Sequence, residues 1–261
     1  MSVLLVSLLF PLVTQPDSAD VLGPLWFREA VSYYASYEGA ADQPLVNGAG
    51  LATDLSVRRG EGAADLGPIV VDDGLLGRCL HIRDWRAPLV LRGEAVSPHR
   101  ALTVSFWWAL PYDLAIDGGY QLFDITGAGL VSLFCRGKGE WCALQKPAGV
   151  FQVYYFTGIQ NINGIYDFDL LSHVDLRAQV WHHTAVVFRR ASAIEGYVDG
   201  SLAFEYTITG REFTADDDLT TLTVGGPLYV DELAVLGGAP EGDMIADYYR
   251  GVSRLREYLT R

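Results

Sequence analysis

Two adjacent histidines, His182 and His183, lie in the apolar run VWHHTAVVF (180–188) and raise the question of metal or catalytic chemistry. The run has the length and composition of a β-strand, in which successive side chains point to opposite faces of the sheet. A zinc site needs both imidazole nitrogens at about 2.0–2.1 Å from one ion. Because strand geometry separates the two rings, we expect each imidazole to be half-buried and hydrogen-bonded to backbone or to a neighbouring strand.

The sequence lacks the nucleophile motifs of common hydrolases, since it has no GxSxG turn, no SxxK and no Cys with an obvious base. A retaining glycosidase needs two carboxyl groups about 5–5.5 Å apart. In the run YDFDL, Asp167 and Asp169 are two residues apart and so share one face of a strand. That run contains no Glu, and we interpret both aspartates as loop or edge residues. The sequence therefore predicts a protein that is not an enzyme.

A further acid of interest is Asp231, in the strand-like run LYVDELAVL (228–236). Strand alternation predicts that Asp231 shares the more apolar face with Leu233 and Val235, and that Glu232 lies on the opposite face. A carboxylate among apolar neighbours must be neutralised, hydrogen-bonded or bound to a cation.

Oxygen-rich sites of this kind suit Ca²⁺, which takes 6–8 oxygen ligands. A second contributor is the turn SYEGAAD, in which Glu38 and Asp42 flank a glycine. Two interpretations of Asp231 stay open: it is a calcium ligand, or it accepts hydrogen bonds from loop amides without a metal.

The elements that must position these residues are mostly short strands. Beyond residue 20 the chain is a succession of strand-length runs rich in Val, Thr and aromatic residues, separated by Gly, Pro, Asp and Asn. The pair Asp199-Gly200 predicts a tight two-residue hairpin. Residues 24–34 are helical or lead into a strand, and residues 240–261 form a C-terminal helix with Pro240 just ahead of its acidic start.

The fold class that follows is all-β: a two-sheet antiparallel jelly-roll sandwich with a short C-terminal helix. No fixed-period repeat or low-complexity linker divides the chain, so residues 20–261 are predicted to form one domain. The strands LTVSFWWAL and TAVVF are apolar on both faces, which predicts that loops or a curved rim cover the side away from the second sheet.

Charge limits the partners. The chain has 19 basic and 32 acidic residues, a net charge of −13. Such a surface repels nucleic-acid phosphates and anionic lipid headgroups, but it is compatible with divalent cations and neutral ligands such as sugars.

The N-terminus contains an apolar stretch, Val3–Val13, that is too short to span a bilayer and has the length of a signal-peptide core. We predict a signal peptide over residues 1–19 and a secreted or cell-envelope protein without a transmembrane span; the alternative is a buried N-terminal strand. Cys135 and Cys142 bracket a glycine-containing turn and are candidates for a disulfide, whereas Cys79 is expected to pack as a small apolar residue.

Four segments in order resemble the laminin-G-like, or pentraxin-like, group of the concanavalin A-like lectin/glucanase superfamily. These are YYASYEGAADQPL, LTVSFWWAL, WHHTAVVFRRASAIEGYVDGSLA, and the C-terminal LTVGGPLYVDELAVLGGAPEGDMIADYYRG. The resemblance covers roughly residues 30–251. It implies an exported jelly roll that recognises glycans or proteins, with a structural calcium ion held at the positions of Glu38 and Asp231. The Glu-x-Asp-x-(x)-Glu strand of the glucanase branch has no match here.

The function that these observations favour is a non-catalytic exported recognition module for a glycan or an extracellular protein, with a structural Ca²⁺. Trp141, Tyr155 and Tyr166 are the candidate stacking surfaces for sugar rings, although core or rim packing also accounts for such aromatics. Two alternatives remain: a glycoside hydrolase or lyase of the same superfamily, and a protein–protein adhesion module.

Overall fold

The computed structural model describes residues 24–37, 67–84, 89–92, 102–112, 119–126, 129–136, 150–157, 161–169, 177–189, 193–207, 221–224 and 227–260. The helices in these ranges are α1 (Leu25–Ala30) and α2 (Gly242–Leu259). The strands are β1 (Val31–Ala35), β2 (Ile69–Val71), β3 (Cys79–Ile82), β4 (Leu89–Arg92), β5 (Leu102–Ala109), β6 (Gly119–Thr126), β7 (Gly129–Arg136), β8 (Val150–Thr157), β9 (Asn161–Asp169), β10 (His182–Arg189), β11 (Ala193–Val198), β12 (Ser201–Thr207), β13 (Thr221–Val224) and β14 (Leu228–Leu236).

The strands form two antiparallel sheets. The eight-stranded sheet A has the order β12-β11-β10-β5-β14-β3-β2, and β1 also pairs with β14. The six-stranded sheet B has the order β4-β13-β6-β7-β8-β9. Among the described strands, four of the seven neighbouring pairs in sheet A and two of the five in sheet B join strands that are not consecutive in the chain, as in a jelly roll. The predicted all-β sandwich with a short C-terminal helix is confirmed.

The central strands of sheet A are buried on both faces, as their continuous apolar sequence predicts. Every residue of β5 is buried, and Trp108 donates its indole N–H to Thr184 Oγ1 at 2.9 Å. The cover on the outer face, which is the face that carries Trp107 and His183, is supplied by α1, α2 and the segment before β3. The buried cluster on this face is Phe27, Tyr34, Leu75, Cys79, Trp107, Ala109, Trp181, Ala234, Leu236, Tyr248 and Val252.

Helix α2 follows the predicted pattern, because Pro240 precedes it, Asp243 lies in its first turn and Arg256 in its last. Its buried residues, Ile245, Tyr248 and Val252, recur at intervals of three and four and face sheet A. The ambiguous segment near the start is a helix that runs directly into a strand, α1 into β1. Within the described residues, no helix is both long and apolar enough to cross a bilayer.

The Asp199-Gly200 hairpin joins β11 to β12 as predicted. Both residues have positive φ, 48° and 76°, which is the backbone of a tight type I′ turn. The Asp199 carboxylate also bonds to the neighbouring strand β10, since its Oδ1 accepts a hydrogen bond from the backbone N–H of His183 at 2.8 Å. The turn therefore ties β10 to the hairpin that follows it.

Replacing Gly200 with alanine is expected to lower the free energy of unfolding by about 1–2 kcal/mol, because an L side chain is strained at positive φ. The new Cβ would also lie 3.0 Å from Tyr249 Cδ1 and 3.2 Å from Ala246 Cα. Gly251→Ala is the matched control: this helical glycine has open space around it, and alanine there is expected to raise stability by about 0.8–1 kcal/mol. Urea denaturation measures both; equal effects of the two changes would contradict the turn geometry.

Candidate functional site

The acid singled out in the sequence, Asp231, lies at an irregularity in β14. Asp231 pairs with Trp107 and Ala234 pairs with Ser105. Between these two pairs β14 advances by three residues while β5 advances by two, so β14 has one extra residue. Glu232 occupies the extra position with φ +50°, a β-bulge. The predicted alternation is therefore wrong beyond Asp231: Ala234 and Leu236, not Leu233 and Val235, share its face.

The bulge buries two carboxylates side by side, because Asp231 is 0% and Glu232 1% exposed. Asp231 Oδ2 accepts the backbone N–H of Leu75 at 2.9 Å, and its Oδ1 accepts that of Glu232 at 2.8 Å. Burial and the neighbouring Glu232 carboxylate raise the pKa of Asp231 well above its usual value, although the amide donors lower it. The Asp231 carboxylate thus fixes the segment before β3 against the bulge.

Tyrosines surround the carboxylate pair. Tyr34 on β1 donates its hydroxyl to Glu232 Oε2, and burial together with that carboxylate raises the pKa of the phenol. Tyr37 is buried with φ +57°, and its pKa is raised by burial and by the charges of Tyr33 and Asp231. The hydroxyls of Tyr33 and Tyr37 have no hydrogen-bond partner in the described part of the chain.

The donor set around Asp231 gives partial support for a cation. The carboxylates of Asp231 and Glu232 are oxygen donors of the type that Ca²⁺ takes. Each Asp231 oxygen, however, already accepts an amide hydrogen bond, and no group of three His, Cys, Asp or Glu residues within the described ranges is placed to hold a metal ion. Glu38 and Asp42 lie outside the described residues. The amide contacts match the metal-free interpretation, and the calcium interpretation stays a prediction.

The adjacent histidines lie on opposite faces of β10, as strand alternation predicts. His183 pairs in register with Trp107 on the outer face, and its Nε2 lies 2.8 Å from Ser105 Oγ. His182 Nδ1 lies 2.9 Å from Asp199 Oδ2, across the turn between β11 and β12. The two rings therefore hydrogen-bond to different neighbours and do not converge on one ion.

The Ser105–His183 pair has the atoms of a nucleophile and a base, but its surroundings oppose catalysis. Ser105 is 3% exposed and His183 0%, so a substrate cannot reach either group. Burial lowers the pKa of His183 to about 4, and the Asp199 charge only partly offsets this. Within the described residues no carboxylate hydrogen-bonds to the His183 imidazole, because Asp199 bonds instead to the His183 backbone N–H and the His182 ring.

Two of the three candidate sugar-stacking residues fall on neighbouring strands of sheet B. Tyr155 on β8 pairs with Gly164, and Tyr166 on β9 pairs with Val153. Because residues two apart share a face, the register places Tyr155 and Tyr166 at diagonal positions on one face of sheet B. Diagonal positions on neighbouring strands are typically about 7–8 Å apart. We call this face of sheet B the β8–β9 face.

The other sequence candidates in sheet B are less informative. Trp141 and Cys142 lie outside the described residues, as do residues 1–19, and the disulfide and the signal peptide stay predictions. Asp167 and Asp169 lie near the end of the edge strand β9, on the face opposite Tyr166. Cys79 is buried in the apolar cluster on the outer face of sheet A, in the packing role expected of it.

The sequence did not predict the backbone amides of Leu75 and Glu232 as donors to Asp231, nor the Tyr34 hydroxyl as the donor to Glu232. No local pattern marks a bulge whose extra residue is a glutamate at positive φ, a conformation that favours Gly or Asn. The only signal was the adjacent pair of acids in an otherwise apolar strand, because two buried carboxylates need a special backbone to meet their donors.

Comparisons with known proteins address the fold. No protein-family model matches the chain, and no curated protein is similar to it in sequence. Among solved structures, the botulinum neurotoxin serotype D binding domain matches with a TM-score of 0.59 and 13% identity over 86% of this chain and 51% of that chain. The binding domain of Paraclostridial Mosquitocidal Protein 1 matches with a TM-score of 0.58 and 14% identity over 85% of this chain and 52% of that one.

The serotype D ligand binding domain in complex with N-acetylneuraminic acid also matches, with a TM-score of 0.58 and 12% identity over 86% of this chain and 51% of that one. This protein has the fold of a two-sheet β-sandwich. The chain spans about half the length of the solved chains that it matches. At these identities the likeness shows the fold alone, and it does not distinguish the laminin-G-like group from other β-rich binding domains.

Proposed function

We propose that this chain is a non-catalytic recognition module that binds a glycan on the β8–β9 face. The observation that carries the proposal is the register of β8 and β9, which places Tyr155 and Tyr166 as diagonal neighbours on one face. Two aromatic residues at these register positions would offer a platform for one or two sugar rings, with apolar contact on the ring faces and hydrogen bonds at the rim. Trp141, which lies outside the described residues, is kept as a third candidate sugar contact on the sequence alone.

Charge favours a neutral sugar as the ligand. The chain carries a net charge of −13, and an acidic surface disfavours a carboxylated or sulfated glycan at ordinary ionic strength. A solved relative in fold was crystallised with N-acetylneuraminic acid, but only 51% of that chain matches this protein, so the sugar is not assigned to the shared half. Neutral oligosaccharides are therefore the first ligands to test, with sialylated ones alongside.

Within the described residues, the environment of the reactive side chains supports a non-catalytic function. Ser105 and His183 are buried, and Asp231 is held by backbone amides. The same proposal includes membership of the laminin-G-like group, export through a signal peptide over residues 1–19, and a secreted or cell-envelope location. They rest on the sequence segments quoted above.

Saturation-transfer NMR with a panel of neutral oligosaccharides tests this function. Transfer to at least one oligosaccharide, with the sugar intact after long incubation, is the expected result. Release of shorter sugars would instead support the hydrolase or lyase alternative. Absence of transfer across neutral and sialylated panels, together with capture of an extracellular protein, would support the adhesion alternative.

A structural calcium ion is part of the proposal, with Asp231, Glu38 and Asp42 as its ligands. If the ion binds the native state alone, chelation with EDTA lowers the melting temperature, and added Ca²⁺ raises it in a concentration-dependent way. Differential scanning calorimetry measures both shifts. A melting temperature that is equal in EDTA and in Ca²⁺ would leave the amide-bonded, metal-free Asp231 as the correct interpretation.

A further inference from the structure

His183 lies at the contact between helix α2 and the outer face of sheet A. Its ring centroid is 5.3 Å from that of Trp107 on β5, 5.5 Å from Tyr248 and 6.1 Å from Tyr249, the last two on α2. Trp107 in turn stacks on Tyr249 at 5.3 Å and 17°. The imidazole is therefore one of the rings that join the helix to the sheet.

The ring is held as a neutral group. Its Nε2 contacts Ser105 Oγ, and its Nδ1 has no hydrogen-bond partner within the described residues. A cavity of about 10 Å³ beside it is lined mainly by apolar side chains and leaves room for about one water molecule. An imidazolium here would have a second N–H donor and a charge with almost no solvent to stabilise them.

The charged and titratable groups around His183 would not stabilise the positive charge of a protonated imidazole. The elements packed against it supply Tyr248 and Tyr249 from α2, both with raised pKa values, and Asp199 from the β11–β12 turn. Asp199 is engaged with the His182 ring and the His183 backbone N–H. Strand β5 contributes Ser105 and Trp107, and neither carries a charge.

Helix α2 is anchored unevenly. At its start, Arg189 donates Nη2 to Pro240 O at 3.2 Å and pairs with Glu195 on β11, at 2.9 Å from Nη2 to Oε2. Farther along, the helix is held by ring contacts, which include Tyr248 stacked on Phe27 at 4.6 Å and 5°. The aromatic contacts can therefore open while the segment before the helix stays attached to sheet A.

We propose that His183 is the proton-sensitive contact of a latch that holds α2 against the outer face of sheet A and releases it on acidification. Protonation puts a charge among the rings of Trp107, Tyr248 and Tyr249, and the helix must move away before water can solvate that charge. The two sheets keep their strand pairing. Neutral pH keeps the latch closed.

The sign and size follow from proton linkage. The pKa of His183 is lowered to about 4 when the latch is closed, against about 6.5 when the ring is solvated. The open form therefore binds the proton more tightly, and closure weakens as pH falls from about 6.5 to about 4. Between pH 7 and pH 5 the open population of α2 is expected to rise about 20-fold.

Hydrogen exchange of the intact protein at pH 7 and pH 5, corrected for intrinsic rates, tests the latch. Amides of residues 245–259 are expected to exchange about 20-fold faster at pH 5, while those of β5 and β10 keep their protection. In His183→Gln, which retains a polar group toward Ser105 but does not titrate, the acid effect on α2 is expected to vanish. His182→Gln is the matched control and is expected to keep it, since His182 lies on the other face.

Two results would overturn the latch. One is a loss of protection in α2 and in the sheet strands together, which is global acid unfolding. The other is an unchanged helix at pH 5. If His183→Gln does not fold, an NMR titration of the His183 imidazole in the wild-type protein replaces it. The proposal requires that titration to coincide with the opening of α2, and independent transitions would contradict it.

Discussion

Asp231→Ala is expected to lower the free energy of unfolding by about 2–5 kcal/mol. The change leaves the backbone N–H groups of Leu75 and Glu232 buried without their acceptor, at about 1–3 kcal/mol each. It also frees the segment before β3 from the β-bulge. Urea denaturation followed by tryptophan fluorescence measures the loss.

Two comparisons separate the causes. Asp247→Ala removes an acid of the same type from the exposed face of α2 and is expected to change stability by less than about 0.5 kcal/mol. In EDTA, the difference in free energy of unfolding between the wild-type protein and Asp231→Ala measures the amide contacts alone. If that difference is larger in Ca²⁺, the increase reports metal binding by the wild-type protein. If Asp231→Ala and Asp247→Ala are equally stable, the carboxylate does not anchor the bulge.

Tyr155→Ala and Tyr166→Ala are each expected to weaken binding of a neutral oligosaccharide by roughly 5- to 150-fold, and the double variant to abolish measurable binding. A ring at the centre of a binding face contributes about 1–3 kcal/mol on truncation, and 1.4 kcal/mol is a factor of ten in affinity. Isothermal titration calorimetry measures the affinities, and melting temperatures confirm that each variant is folded.

Tyr154→Ala is the matched control, because Tyr154 lies on the same strand but pairs with Ile165 and faces the opposite side of sheet B. This variant is expected to bind like the wild-type protein. A loss of binding in Tyr154→Ala with normal binding in Tyr155→Ala would assign the ligand to the opposite face. The choice between the two faces thus rests on a one-residue shift along β8.

Much of the fold could be read from the sequence because local rules and tertiary structure agree there. Asp199-Gly200 supplies two residues that tolerate positive φ, and the turn forms where it was predicted. The alternation of β10 separates His182 from His183, and the apolar strand β5 is buried throughout. In each case a period of two residues, or a turn of fixed geometry, determines the outcome.

The candidate site could be predicted only in part, because its geometry depends on contacts distant in sequence. Asp231 was identified as a buried acid, but the bulge at Glu232 changes which neighbours share its face. The donor to Asp231 comes from Leu75, 156 positions away, and the donor to Glu232 from Tyr34, 198 positions away. No local pattern encodes such pairings, since they follow from the strand order of sheet A.

A crystal structure with the tightest-binding neutral oligosaccharide tests most directly the claim that this protein binds a glycan without cleaving it. We expect an intact sugar whose rings lie on the β8–β9 face at Tyr155 and Tyr166. A sugar bound away from that face, or a cleaved product in the crystal, would contradict it.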